Sequence, residues 1–326
     1  MDLISCYNQY SLQVSETTSS SSSFSCSNYT PKNSTNSCII SPNNNTNIIP
    51  STQTAVSCLY KTTLTTGIHH YITVTWYRST TTQGLQINSG DDPATAFRLN
   101  THSRLFRKKK GTKLFDINDS KFEVFYDLSS AVYGAGAEPT DGSYYVLVMV
   151  DSEVGLLVGD LPEETHIKKM RTHKQIGKSL LLSRKEHFSG NTLYATKAKF
   201  SDTGNFHDIL IRCTGENDGL KYPVLVVYID KRVVIRVKRL QWNFRGNQTI
   251  FMDGLLVDLM WDVHDWFFES ESESGSGSGS GSGPGHAVFM FRTRSGLDSR
   301  LWLEEKYVKS NDQKNGFSLL VYATKS

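Results

Sequence analysis

Tyr144-Tyr145-Val146-Leu147-Val148-Met149-Val150-Asp151-Ser152-Glu153-Val154-Gly155-Leu156-Leu157-Val158 and Pro223-Val224-Leu225-Val226-Val227-Tyr228-Ile229-Asp230-Lys231-Arg232-Val233-Val234-Ile235-Arg236-Val237 read as one hairpin written twice. Each is a strand, a tight polar turn led by Asp, and a second strand. Val, Ile, Leu and Tyr at this density suit the pleated, packed surface of a strand, and the Asp-led break marks the bend between two of them. Such runs belong in the middle of an antiparallel sheet, so the core is predicted to be β.

The repetition extends outward. Gly111-Thr112-Lys113-Leu114-Phe115 before Phe122-Glu123-Val124-Phe125 parallels Gly190-Asn191-Thr192-Leu193-Tyr194 before His207-Asp208-Ile209-Leu210-Ile211. Two copies of a four-strand unit, each with one apolar face, would bury those faces against each other as a sandwich. The alternative is that unrelated β-meanders share this look. The predicted fold class is therefore all-β, an antiparallel β-sandwich, with an internal duplication as one origin. Further strands are predicted at 56–63, 71–77, 84–88, 96–100, 113–117, 122–128, 178–183, 192–200, 207–213, 248–267, 287–293, 301–304 and 317–323, where period-2 alternation dominates. The best candidate for a short helix is 163–175.

One β domain is expected over residues 51–326, with halves at about 51–162 and 176–326. Residues 1–50 form a Ser/Asn/Thr tract that includes Ser19 to Ser23 and Asn43 to Asn45, with too little apolar surface to offset chain entropy. A disordered tail is expected there. Residues 269–285 run from alternating Glu and Ser into Gly-Ser repeats, the composition of a flexible loop. The apolar run Ala287-Val288-Phe289-Met290-Phe291 follows directly, which makes this an expanded hairpin loop and not a domain boundary.

Lys+Arg number 35 and Asp+Glu 32, a net charge of +3 that is too small to imply nucleic-acid binding from bulk charge. The 5 cysteines are scattered and form no Cys-x-x-Cys pair, which fits reduced thiols and not a disulfide framework or metal knuckle. No signal-peptide pattern opens the chain and no apolar run has the length of a membrane span. A cytoplasmic or nuclear protein, neither secreted nor transmembrane, is expected.

The stretch Lys238-Arg239-Leu240-Gln241-Trp242-Asn243-Phe244-Arg245-Gly246-Asn247-Gln248-Thr249-Ile250-Phe251-Met252-Asp253-Gly254-Leu255-Leu256-Val257-Asp258-Leu259-Met260-Trp261-Asp262-Val263-His264-Asp265-Trp266-Phe267-Phe268 resembles the signature of a plant-specific family known as a domain of unknown function, number 868. Thr73-Val74-Thr75-Trp76, Val124-Phe125-Tyr126-Asp127-Leu128-Ser129-Ser130-Ala131, Leu157-Val158-Gly159-Asp160 and Ser183-Arg184-Lys185-Glu186-His187 resemble its other blocks, in its order. The resemblance spans essentially everything after residue 50. It implies kinship, and brings with it no reaction, cofactor or catalytic residue.

Within that stretch Asp253-Gly254 signals a type I′ hairpin turn, which needs positive φ at both central residues. The turn sets the register, so Ile250, Met252, Leu255, Val257, Leu259, Trp261 and Val263 should share an apolar face. Thr249, Phe251, Leu256, Asp258, Met260, Asp262 and His264 should share the other. Asp262 and His264 then lie about 7 Å apart on one face, close enough for both to approach a ligand or metal. A metal would need further ligands such as His207 or His187, which nothing in the sequence places there. The bland reading is the solvated side of a half-buried strand, and no metal or other cofactor is predicted. With Trp266 beside them, Asp258, Asp262 and His264 also suggest a carbohydrate platform, although aromatic strand residues commonly serve the core.

Two groups of basic residues stand out. Arg107, Lys108, Lys109 and Lys110, with Lys168, Lys169, Arg171 and Lys174, would attract anionic lipid head groups, or would simply be solvated loops. Arg236, Lys238, Arg239 and Arg245 surround Trp242 and Phe244, a mixture that suits a binding surface. No Gly-x-Ser-x-Gly elbow, His-Glu-x-x-His pair, phosphate loop or dinucleotide fingerprint is present. The expected function is a non-catalytic binding or adaptor module with a protein partner. The alternatives are peripheral attachment to an anionic membrane and a carbohydrate-binding or carbohydrate-active protein; nucleic acid is not an expected partner.

Overall fold

The twin hairpins lie in two four-stranded meanders. A computed structural model describes residues 51–89, 97–100, 109–117, 120–160, 177–190, 193–214, 222–268, 285–294 and 316–325. The tail at 1–50, the helix candidate at 163–175, the strand candidate at 301–304 and all of the 269–285 loop but Gly285 lie outside the described residues. Among the described residues nineteen strands follow one another: β1 (Thr52–Thr63), β2 (His69–Arg78), β3 (Gln83–Ser89), β4 (Phe97–Asn100), β5 (Lys110–Ile117), β6 (Ser120–Asp127), β7 (Val132–Tyr133), β8 (Pro139–Asp141), β9 (Tyr145–Val150), β10 (Glu153–Gly159), β11 (Lys178–Ser189), β12 (Leu193–Lys199), β13 (Phe206–Thr214), β14 (Val224–Ile229), β15 (Arg232–Val237), β16 (Arg245–Met252), β17 (Leu255–Asp262), β18 (His286–Thr293) and β19 (Ser318–Thr324). One short helix, α1 (His264–Phe268), stands among them in the described residues.

Nine strands form one sheet in the order β16-β17-β18-β19-β11-β1-β2-β3-β4, and two four-stranded sheets run β10-β9-β6-β5 and β12-β13-β14-β15. Every described pairing is antiparallel except β11 with β19, which is parallel. The fold is all-β and sandwich-like. The two meanders match in detail: Asp151 and Asp230 each take positive φ in a two-residue turn. Asp151 Oδ1 accepts the Lys121 amide at 2.7 Å, and Asp230 Oδ1 accepts the Asp208 amide at 3.0 Å, so each turn is tied to the neighbouring strand of its meander.

The meanders do not bury their apolar faces against each other, as the repeat alone suggested. Each packs on the long sheet and makes its own core. One core joins Val56, Ile72, Val74, Trp76, Leu85 and Ile87 of the long sheet to Phe122, Val124, Val146, Val148 and Leu156. The other joins Val257, Leu259, Phe289, Phe291, Leu319 and Val321 to Tyr194, Ile209, Ile211, Leu225 and Val227. Strand register shows that both meanders lie on one face of that sheet. Ile87, Val74, Cys58, Arg184, Leu319, Phe291 and Leu259 form a single row across it, partner opposite partner, and opposite residues share a face. Two sandwiches thus sit side by side on a common sheet. A meander four strands wide covers only part of a nine-stranded surface, so two fit where one would leave apolar residues open.

Candidate functional site

The two faces of the long sheet offer different chemistry, and the covered face holds a charged cluster at the seam of the two sandwiches. There β1 pairs with β11, and Arg184 and Glu186 point inward among apolar neighbours. Glu186 has no exposed surface. It accepts from Arg184 Nε at 2.5 Å, Gln53 Nε2 at 2.8 Å and Thr196 Oγ1 at 2.7 Å. Arg184 Nη2 also donates to Glu138 Oε2 at 2.7 Å, and its Nη1 lies 3.6 Å from Cys58 Sγ. Burial works against the charge on Arg184, but Glu186 and Glu138 outweigh it and hold the guanidinium protonated. Burial pushes the Cys58 thiol up to about 11, so it is no nucleophile near neutral pH. Every member is hydrogen-bonded, with Glu138 reaching in from the first sandwich and Thr196 from the second. The cluster fastens; it has no free group to catalyse.

A second cluster ties opposing sheets together at one end of the second sandwich. His207 Nδ1 lies 2.6 Å from Asp230 Oδ2, in the β14–β15 turn, and its Nε2 lies 3.0 Å from Asp253 Oδ2, in the β16–β17 turn. Burial acts to lower the His207 pKa, yet hydrogen bonds to the two carboxylates prevail and hold it above the ordinary value. With both ring nitrogens engaged, the imidazole is a clamp and not a free base. Among the described residues no group of three or more His, Cys, Asp or Glu is arranged to hold a metal ion.

The residues singled out in the sequence lie elsewhere. The Asp253-Gly254 turn forms as read, with φ of 48° and 78°, and the face assignment holds as far as Asp262: Val257, Leu259 and Val263 are buried while Asp258, Met260 and Asp262 are half-exposed on the other side; the strand read over 248–267 stops at Asp262, and His264 opens α1 in place of continuing that face. Asp258 accepts from Arg294 Nε at 2.8 Å and Thr249 Oγ1 at 2.7 Å, and the Arg294 bond is the main reason its pKa is lowered. Asp262 accepts from Arg245 Nε at 2.8 Å and from the His264 amide at 3.0 Å, the second bond tying it to the start of α1. His264 turns to Asp265, 2.8 Å away, and its ring packs edge-on to Phe244. Trp266 is buried, with Lys325 Nζ 5.5 Å over its ring, which leaves no open indole face for a sugar. Of the four, only Asp262 and His264 touch, through the His264 amide, and each side chain has partners of its own.

Of the first basic group, Arg107, Lys108, Lys168, Lys169, Arg171 and Lys174 lie outside the described residues. Lys110 pairs with Asp127 at 2.9 Å, and Lys109 beside it is exposed. The second group is drawn together around the β15–β16 turn. There the Arg239 guanidinium lies 5.8 Å over Tyr222, Arg245 lies 5.7 Å over Phe244, and Arg236 and Lys238 are exposed near a Trp242 that is 76% exposed.

The uncovered face of the long sheet is the largest feature that the motifs did not announce. Register places Lys185, Leu320, Met290 and Met260 in one row across it and His187, Tyr322 and Val288 in the next. All are half-buried, and no described element lies over this face. At its centre the Tyr322 ring stacks on His187 at 5.1 Å between centroids and 9° between planes, with Lys185 Nζ 4.5 Å over the same ring. Burial first, and repulsion by Lys185 second, lower the His187 pKa and keep that ring neutral near pH 7.

No described helix is long and apolar enough to cross a membrane. No curated protein and no solved structure matches the chain. A family model described as plant protein of unknown function, DUF868, matches residues 51–325. The chain belongs to that plant family.

Proposed function

We propose that this protein is a non-catalytic binding module that takes hold of a protein partner through the uncovered face of its long sheet. One observation supports this above the rest. Leu320, Met290, Met260, Tyr322 and Val288 form a contiguous apolar strip across three strands of that face, bordered by Lys185 on β11 and Asp262 on β17. Aromatic and Met side chains in one patch are enriched in protein interfaces, and Met side chains adapt to irregular partners. The seam cluster and the His207 clamp favour the same reading, since both brace the face from behind and neither has a free nucleophile or base. Free buried thiols at Cys58 and Cys213 suit a reducing compartment, the cytoplasm or nucleus.

The test is site-directed photo-crosslinking in plant cells. A photoreactive residue at Leu320 or Met290 is expected to trap one discrete partner, and Lys185→Glu or Tyr322→Ala is expected to abolish the adduct. The same probe at exposed Arg236, on the other side of the molecule, should trap none of it. Equal trapping at Arg236, or adducts indifferent to both substitutions, would remove the uncovered face as the binding surface.

A further inference from the structure

Strand β16 is an edge, and among the described residues it has none of the devices that keep edges apart. It is the terminal strand of the nine-stranded sheet, with β17 on one side only. Its pairing runs from Arg245 opposite Asp262 to Met252 opposite Leu255 without a bulge, it has no Pro and its one charge is Arg245 at the start. Edges are ordinarily blunted by Lys, Pro, a bulge or a covering segment. Here Arg245, Asn247, Gln248, Thr249 and Phe251 are all exposed, Phe251 to 73%.

The hydrogen-bonding phase of this edge follows from two observations. Met252 and Leu255 flank a two-residue turn, and the Val263 amide donates to the Phe244 carbonyl at 2.8 Å. Both place residues 244, 246, 248, 250 and 252 in bonds to β17. The N–H and C=O groups of Arg245, Asn247, Thr249 and Phe251 therefore point away from the sheet, and no described strand meets them.

We infer that β16 pairs antiparallel with β16 of a second copy about a two-fold axis at Gln248, joining two nine-stranded sheets into one. Among the registers that keep like faces together, this is the one in which every outward group is used. Arg245 meets Phe251 of the other copy, and Asn247 meets Thr249, each pair exchanging two backbone bonds. The side chains agree with the backbone. The Arg245 guanidinium comes beside a Phe251 ring in place of a like charge, and Asn247 and Thr249 can hydrogen-bond. The inference is independent of the proposed partner-binding face, because it uses the edge of the sheet and not its surface.

The experiment uses the full chain in solution. Light scattering behind size exclusion is expected to give twice the chain mass at about 100 μM. Asn247→Pro removes an outward amide while sparing the bonds to β17, and Pro is tolerated on edge strands in that orientation. It should yield a monomer with an unchanged circular-dichroism spectrum. Gln248→Cys, in a chain whose Cys6, Cys26 and Cys38 are replaced by Ser, should oxidise to a covalent dimer. The reason is that Gln248 faces its own copy with Cα atoms about 4.5 Å apart, within disulfide reach. Arg236→Cys in the same background is the control and should crosslink several-fold less. Lys185→Glu should leave the mass unchanged. A wild-type monomer at that concentration overturns the inference, as does a dimer that survives Asn247→Pro while Gln248→Cys crosslinks no better than the control.

Discussion

Arg184 Nε meets Glu186 Oε1 at 2.5 Å, and the carboxylate it meets has no exposed surface. The two are next-but-one neighbours on β11, so the sequence itself delivers a charge pair into the seam. Removing one partner strands the other. Arg184→Met is expected to destabilise the fold by about 3–5 kcal/mol, whereas the double substitution Arg184→Met with Glu186→Leu should recover much of the loss. Urea titration of both variants checks it; a double variant weaker than the single one would contradict this account.

The His207 clamp predicts a pH dependence whose sign is fixed. A raised folded pKa means that its contribution is fully present below the unfolded value and fades as pH rises through the folded one. The lowered values of Asp230 and Asp253 make their share present above the ordinary carboxylate range and lost as pH falls through their folded values. Melting temperature should therefore decline from pH 6 towards pH 9, and His207→Phe should flatten that decline. Equal slopes for the two chains would show that His207 is not the titrating group.

If the meanders are built alike, their turn aspartates should fail alike. Asp151→Ala and Asp230→Ala each place Ala at positive φ and delete a bond to the neighbouring strand, at a cost of about 1–3 kcal/mol in either case. Asp230→Ala should also release His207 and thus remove part of the pH dependence, which Asp151→Ala should leave intact. Parallel thermal melts at two pH values separate the effects.

Burial pushes the thiols of Cys58 and Cys213 up to about 11 and about 12. Neither should react with a maleimide at pH 7.5 in the folded chain, and both should label in denaturant. Peptide mass spectrometry reads each site directly, and rapid native labelling of Cys58 would show the seam to be open.

The strand run and the Asp253-Gly254 register were legible because period-2 alternation and turn chemistry are local. Strand β11 was harder. Only 178–183 read as strand, since Arg184-Lys185-Glu186-His187 looks like surface, yet β11 continues through it to Ser189 at the centre of the long sheet. What makes this tolerable is the alternation within the run: Arg184 and Glu186 turn inward and pair, while Lys185 and His187 turn outward to Tyr322. Their other partners, Gln53, Glu138 and Thr196, come from distant strands and leave no spacing to read. The same holds for His207, whose two carboxylates belong to hairpins in different sheets. Which layer would cover which was also beyond local pattern, so the apolar faces were identified but not their cover.

The parallel pairing of β19 with β11 has a consequence for biosynthesis. β19 also pairs with β18, so it is the link between β16–β18 and the remainder of the long sheet. Its residues leave the ribosome after every other described strand. The first sandwich has all its own strands beforehand, but the second must wait with Phe289 and Phe291 unsheathed until Leu319 and Val321 arrive between them and β11. Nascent chains of this protein thus pass through an interval in which the first sandwich has its strands and the second still lacks the one that joins it to the rest of the sheet.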